Sequence, residues 1–138
     1  MDQEEMLKAT AENELLQFLG VKVVKANGEH VVLTMPVTPK VHQYLGIMNG
    51  GVSLFLAETA ASIGVVAGQD LTQVSPVGVE INANHLRTMR EGEVRGVTRP
   101  LHIGGGTQVW EIRISDAAER LVCVSRITLA VLHRSSMK

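Results

Sequence analysis

Gly50-Gly51 and Glu58 carry the chemistry that is readable in this chain. They stand in one run, Gly46-Ile47-Met48-Asn49-Gly50-Gly51 leading into Val52–Gly68, which reads as a helix apolar nearly all round. Glycines at a helix start cover none of the unpaired N–H groups there, so those groups can meet a carbonyl oxygen or an anion. A carboxylate within an apolar helix costs several kcal/mol (order of magnitude) unless something compensates, and function is one such compensation. Apolar surroundings are expected to raise the pKa of Glu58, which makes it a better base near neutrality. Ser62 lies one turn beyond Glu58 on the same side. An amide donor plus a carboxylate is the equipment for acyl transfer. The N–H polarises a carbonyl, and the carboxylate attacks it directly or activates a water.

A helix without a solvated face is expected to be wrapped by the rest of the chain. Ala57, Ala60, Ala61, Gly64 and Gly68 form a stripe of small residues along which another layer can approach closely. Ahead of it, residues 4–19 read as an amphipathic helix with Met6, Ala9, Leu15, Leu16 and Leu19 as its apolar side and Gly20 as its stop. Val21–Lys25 and His30–Met35 read as strands about the turn Asn27-Gly28. After the long helix, Val77, Val79, Ile81 and Ala83 alternate with polar residues, and the apolar row continues to His85. Glu93–Arg99, Thr107–Ser115 and Leu121–Leu132 read as three further strands, with Pro100–Gly106 a loop or bulge and residues 134–138 a frayed tail. One long apolar helix followed by an antiparallel meander predicts an α+β fold, a sheet curled around that helix. The 138 residues are expected to form a single domain, 1–138, with residues 1–20 its N-terminal helix.

Composition narrows the function. Net charge is −1 and only four residues are Phe, Trp or Tyr, which argues against a nucleic-acid binder. Val52–Ala67 is short for a membrane span and contains Glu58, and the acidic start Met1-Asp2-Gln3-Glu4-Glu5 is unlike a signal peptide. Cys123 is alone, so no disulfide framework exists, and a soluble cytoplasmic protein is expected. The five histidines lack metal-ligand spacing, so neither a metal nor a cofactor is expected. His85, Arg87, Arg90, Arg95, Arg99 and His102 crowd one segment and could meet phosphates or simply face solvent.

Gln43-Tyr44-Leu45-Gly46-Ile47-Met48-Asn49-Gly50-Gly51, then Glu58, then Val79-Glu80-Ile81-Asn82-Ala83-Asn84-His85, resembles the hot-dog-fold acyl-CoA thioesterases. The likeness runs from about Val32 to Leu132 and points to the PaaI-like group with 4-hydroxybenzoyl-CoA thioesterase of the Arthrobacter type. Within it, the chain resembles the enterobactin-pathway proofreading and 1,4-dihydroxy-2-naphthoyl-CoA thioesterases. The resemblance implies an acyl-CoA substrate carrying an aromatic or medium-chain acyl group. It implies Glu58 as nucleophile or general base, the Gly50 N–H on the thioester carbonyl, Gln43 orienting thioester or water, and Ser62 holding the water. His85 would line the acyl or pantetheine region. Gly51, Arg87, Arg90 and Phe55 are further candidate binding residues, with Leu45, Met48 and Leu54 as possible liners of the acyl pocket. The site would lie across a homodimer, with a dimer of dimers expected. Asn49 stands where close members usually carry His, and Asn cannot carry a proton at neutral pH. Gly104-Gly105-Gly106-Thr107 replaces a more polar, partly basic stretch. Two other readings are a non-catalytic acyl-CoA binder and an enoyl-CoA hydratase or dehydratase. The latter would want an Asp/His pair before the helix, where this chain offers His42 alone.

Overall fold

The computed structural model describes residues 1–136. The predicted N-terminal helix is two helices, α1 (Gln3–Ala11) and α2 (Glu14–Leu19). Asp2 and Glu5 close a reciprocal capping box on α1. Asn13 then breaks the run, because its side chain accepts from the Leu16 N–H at 3.1 Å and starts α2 afresh. Gly20 ends α2 at φ 75°, a conformation that glycine adopts without strain. The break also turns Leu15 and Phe18 outward, so Met6 and Leu16, and not Ala9 or Leu15, are the buried anchors.

Six antiparallel strands follow the order β1-β2-β4-β5-β6-β3. They are β1 (Lys22–Ala26), β2 (Val31–Pro36), β3 (Val74–His85), β4 (Glu93–Ile103), β5 (Thr107–Ser115) and β6 (Leu121–His133). The long helix is α3 (Gly50–Ala67), and it lies across one face of this sheet. That face is built from alternate residues of each strand, with Leu33, Met35, Val94, Trp110, Ile112, Ile114 and Ile127 all fully buried. Each such side chain contributes about 1.5–3 kcal/mol by leaving water. The small-residue stripe of α3 meets them: Ala57, Ala60 and Ala61 have no exposed surface, and the Trp110 ring fills the space beside Gly64. The Trp110 indole N–H donates to Gln108 Oε1 at 2.9 Å, so the buried ring keeps its polar atom satisfied.

Two expectations are corrected here. The helix is not wrapped on all sides: eight of its residues are buried, while Gly51 and Glu58 are exposed. The sheet covers one side of α3, and β3 is the last strand, paired only with β6 among the described residues. Nor does the Val77–Ala83 alternation hold throughout. A register shift between Gly78 and Glu80 inserts a bulge, which leaves Val77 and Val79 exposed at 41% and 64%. Beyond the bulge, Ile81 and Ala83 pack against the core, and His85 follows on the same face, as expected.

β4 runs through the predicted loop as far as Ile103, with its irregularity between Pro100 and His102. The predicted tail begins as a short turn held by Arg134, whose backbone N–H donates to Gln73 O at 2.9 Å and whose Nε donates to Leu71 O at 2.7 Å. The rest of that tail, residues 137–138, lies outside the described residues.

Candidate active site

The approach to α3 is held by backbone. The Met48 N–H donates to Met89 O at 2.7 Å and the Asn49 N–H to Val41 O at 2.8 Å. His42 Nε2 and the Arg90 carbonyl lie 2.8 Å apart, which ties the same loop to the segment after β3. Asn49 is the helix cap: its Oδ1 accepts from the Gly51 N–H at 2.7 Å, and its carbonyl accepts from the Val52 N–H at 3.0 Å. The Gly50 N–H is left with no acceptor among the described residues. It points out of the helix start, where the partial positive charge of α3 concentrates.

The His85 ring packs on Gly50, so close that a Cβ there would stand 3.0 Å from Nε2. A cavity of about 370 Å³ opens beside them, with Gln43, Ser53, Met48 and Arg87 also in its walls. The Gln43 side-chain oxygen accepts from the Leu45 N–H and steadies the loop. Ser53 is 1% exposed and its hydroxyl has no partner among the described residues. A buried hydroxyl without a partner at a cavity wall is suited to a water or a ligand.

Glu58 lines a different cavity, of about 470 Å³, together with Phe55, Thr59, Ser62 and Ile63. Its carboxylate lies against β3, where Gly78 has no side chain to exclude it. Eight residues of helix rise about 12 Å along the axis, so within one chain Gly50 and Glu58 serve separate spaces. The expected meeting of amide and carboxylate in one small volume is therefore not made by a single chain.

The structure thus gathers Gly50, Gln43, His85 and Arg87 at one cavity, and Glu58, Ser62 and Phe55 at the other. Asn49 and Gly51 line neither, because they are joined in the cap. Arg90 is exposed and outside both linings, and Leu45 is 66% exposed. The basic segment does not form one patch: Arg95 and Arg99 alternate with buried Val94, Gly96 and Thr98, which puts them on the face of β4 away from α3. Sequence reasoning gave no role to Ser53, Thr59 or Gly78. The helical period held the signal for the first two, since Ser53 is one turn from Gly50 and Thr59 adjoins Glu58. Gly78 was hidden because a bulge is needed to turn it toward α3.

Among the described residues, no three His, Cys, Asp or Glu side chains gather where a metal ion could bind. Cys123 is fully buried, and that burial pushes its thiol pKa up.

A profile described as the thioesterase superfamily matches residues 45–123, a stretch that contains the α3 start, Glu58, β3 and most of the sheet. The chain belongs to this family. Within the thioesterase superfamily it is similar to the 1,4-dihydroxy-2-naphthoyl-CoA hydrolase of Escherichia coli K12, at 45% identity over 130 residues that cover 93% of each chain. It is similar to the proofreading thioesterase EntH of Cronobacter turicensis, at 41% identity over 129 residues, again 93% of each. The crystal structure of a mutant of thioesterase PA1618 from Pseudomonas aeruginosa superposes with a TM-score of 0.88 at 36% identity, covering 96% of this chain and 95% of that one. The fold is the hot-dog fold, as the sequence led us to expect, and α3 is its core helix. Thioester hydrolysis, the expected reaction class, is the one that gives the superfamily its name.

Proposed function

We propose that this thioesterase hydrolyses an acyl-CoA carrying an aromatic or medium-chain acyl group, releasing the free acid and CoA. The observation that carries the reading is the Gly50 N–H, which Asn49 leaves open while capping its neighbour. A fixed donor at a helix start stabilises the oxyanion that forms when the thioester carbonyl is attacked, and its loss typically costs ~10²–10³ in rate. Glu58 is the nucleophile or general base. Thiolate leaves readily, so no strong general acid is required. Gln43 orients the thioester, Ser62 and Thr59 flank the carboxylate, and Arg87 stands where the Gly50 cavity can receive the phosphate-bearing part of CoA.

The reading requires a second copy of the chain. The outer edge of β3 offers unpaired backbone groups and the exposed Val77 and Val79, a surface suited to strand pairing across a two-fold axis. In such a homodimer one copy's Glu58 faces the other's Gly50, and the partner covers the open side of α3. Two such dimers form the tetramer. The kinship with CoA-thioester hydrolases and the lone buried thiol fit a cytoplasmic enzyme.

Thiol release from an acyl-CoA panel tests the activity. Glu58→Gln is expected to lower turnover by ~10² or more. Gly50→Pro removes the amide hydrogen at the first helical position, where Pro is favoured, and Gly50→Ala controls for the push on His85. Co-assembling Glu58→Gln with Gly50→Pro subunits recreates one intact site per dimer, so activity returns. Normal turnover by Glu58→Gln would sink the catalytic assignment, and consumption of an enoyl-CoA without thiol release would point to hydration instead. No recovery on mixing would sink the shared site.

A further inference from the structure

Helix α1 lies outside the segment that the superfamily profile matches, yet it forms the far wall of the Glu58 cavity through Met6 and Ala9, with Met1 just ahead of it also lining the space. Met6 and Ala9 are three positions apart, so one face of α1 presents both. The wall is fixed in place. Its first turn is closed by the Asp2–Glu5 box, Gln3 Oε1 accepts from the Ala26 N–H at 3.3 Å, and Met6 is 5% exposed. Opposite stand Phe55 and Ile63, so the space beside the carboxylate is apolar on two sides. This space has room for the remainder of an acyl group whose carbonyl reaches Glu58. The methyl of Ala9 leaves room there that a longer side chain would occupy, and the flexible thioether of Met6 adapts to the shape of the occupant.

We propose that α1 sets which acyl groups this thioesterase accepts, with Ala9 and Met6 as specificity-determining residues and a bulky apolar acyl group as the ligand class. This rests on the reading that Glu58 marks the reacting end of the substrate. Ala9→Phe fills the space from an exposed helical position, where substitutions change stability little. Met6→Ala enlarges it. On the full-length protein, kcat/KM is measured for 2-naphthoyl-CoA and acetyl-CoA. Calorimetry then follows the non-hydrolysable thioethers S-(2-naphthacyl)-CoA and S-methyl-CoA. Ala9→Phe is expected to lower the naphthoyl-to-acetyl ratio at least ten-fold and to weaken naphthacyl-CoA binding in proportion, with S-methyl-CoA unaffected. Met6→Ala moves both ratios the other way. If Ala9→Phe leaves both ratios within two-fold of wild type, α1 does not set specificity. The binding arm needs no turnover, so it decides this inference even where Glu58→Gln proves the catalytic assignment wrong.

Discussion

The carboxylate of Glu58 occupies the place that a side chain at position 78 would take: a Cβ built on Gly78 stands 2.5 Å from Glu58 Oε1 and 3.6 Å from its Cδ. The atom in the way is the far end of a flexible side chain, so alanine at 78 is absorbed by moving the carboxylate. Gly78→Ala is therefore expected to lower kcat by roughly ten- to a hundred-fold, since displacing a reacting group by about 1 Å can cost 10²-fold. KM and the melting temperature should change little. Pairing it with Glu58→Asp, one methylene shorter, should recover part of the rate. A Gly78→Ala protein with normal kcat would show that the fit has no catalytic use.

Ser53 gives a prediction of mixed sign. Its hydroxyl is buried without a partner among the described residues, so Ser53→Ala should leave unfolding stability equal or slightly higher. If substrate supplies the partner, KM should rise by several-fold, in line with the ~0.5–1.5 kcal/mol of one hydrogen bond. Urea titration and initial rates read the two effects separately.

Asn49 is expected to matter for the helix more than for the reaction. Asn49→Ala removes the acceptor for the Gly51 N–H and should cost about 1 kcal/mol of stability, while Asn49→Asp keeps the cap. The Gly50 N–H persists in both, so kcat should fall by less than about ten-fold, against the ~10²–10³ expected for losing that donor. A larger drop in kcat for both would give the Asn49 amide nitrogen a direct role.

How much could be read in advance depended on period and on partner. The order of strands and helix was legible because Trp110, Ile112 and Ile114 alternate cleanly and fall on one buried face. Glu58 was singled out from its position after the glycine pair, and it lines a cavity. Its exposure was not foreseen. An apolar helix looks the same in sequence whether its own sheet or a second chain covers it. Val77 and Val79 misled for a local reason, because one inserted residue at the bulge reverses the faces on either side. The two-helix start was missed because Asn13 caps from inside a run whose spacing reads as continuous.

Gly64 tests the packing of α3 on the sheet. A methyl there would overlap the Trp110 ring, and neither the buried ring nor the helix backbone can yield freely. Gly64→Ala should destabilise the fold by ~1–3 kcal/mol while kcat at low temperature stays near normal. Thermal melts and rates measured well below the transition distinguish this from damage to the site.

Asp116 is expected to contribute to the acid limb of stability. Its carboxylate accepts from the Arg120 backbone N–H at 2.9 Å, from Arg120 Nε at 2.8 Å and from the Ala118 N–H at 3.0 Å. These bonds, that from the Arg120 backbone foremost, hold its pKa below the ordinary carboxylate value. The unfolded chain then takes up the proton first as pH falls, so the stabilisation is complete above the unfolded pKa near 3.8 and is lost through the folded pKa below it. Asp116→Asn should lower the melting temperature at neutral pH and flatten its decline in acid. An unchanged acid slope would remove Asp116 from this account.

β3 carries Gly78 and His85 but has one strand neighbour among the described residues, β6, whose register pairs Val74 with His133 and His85 with Cys123. During synthesis those residues leave the ribosome well before the strand that must hold them. The carboxylate of Glu58 gains its seat, and the Gly50 amide its histidine, only when β6 has docked. A chain that has not yet paired β6 with β3 lacks the strand that sets the register of Gly78 and His85, so a substitution that slows β6 is expected to delay folding.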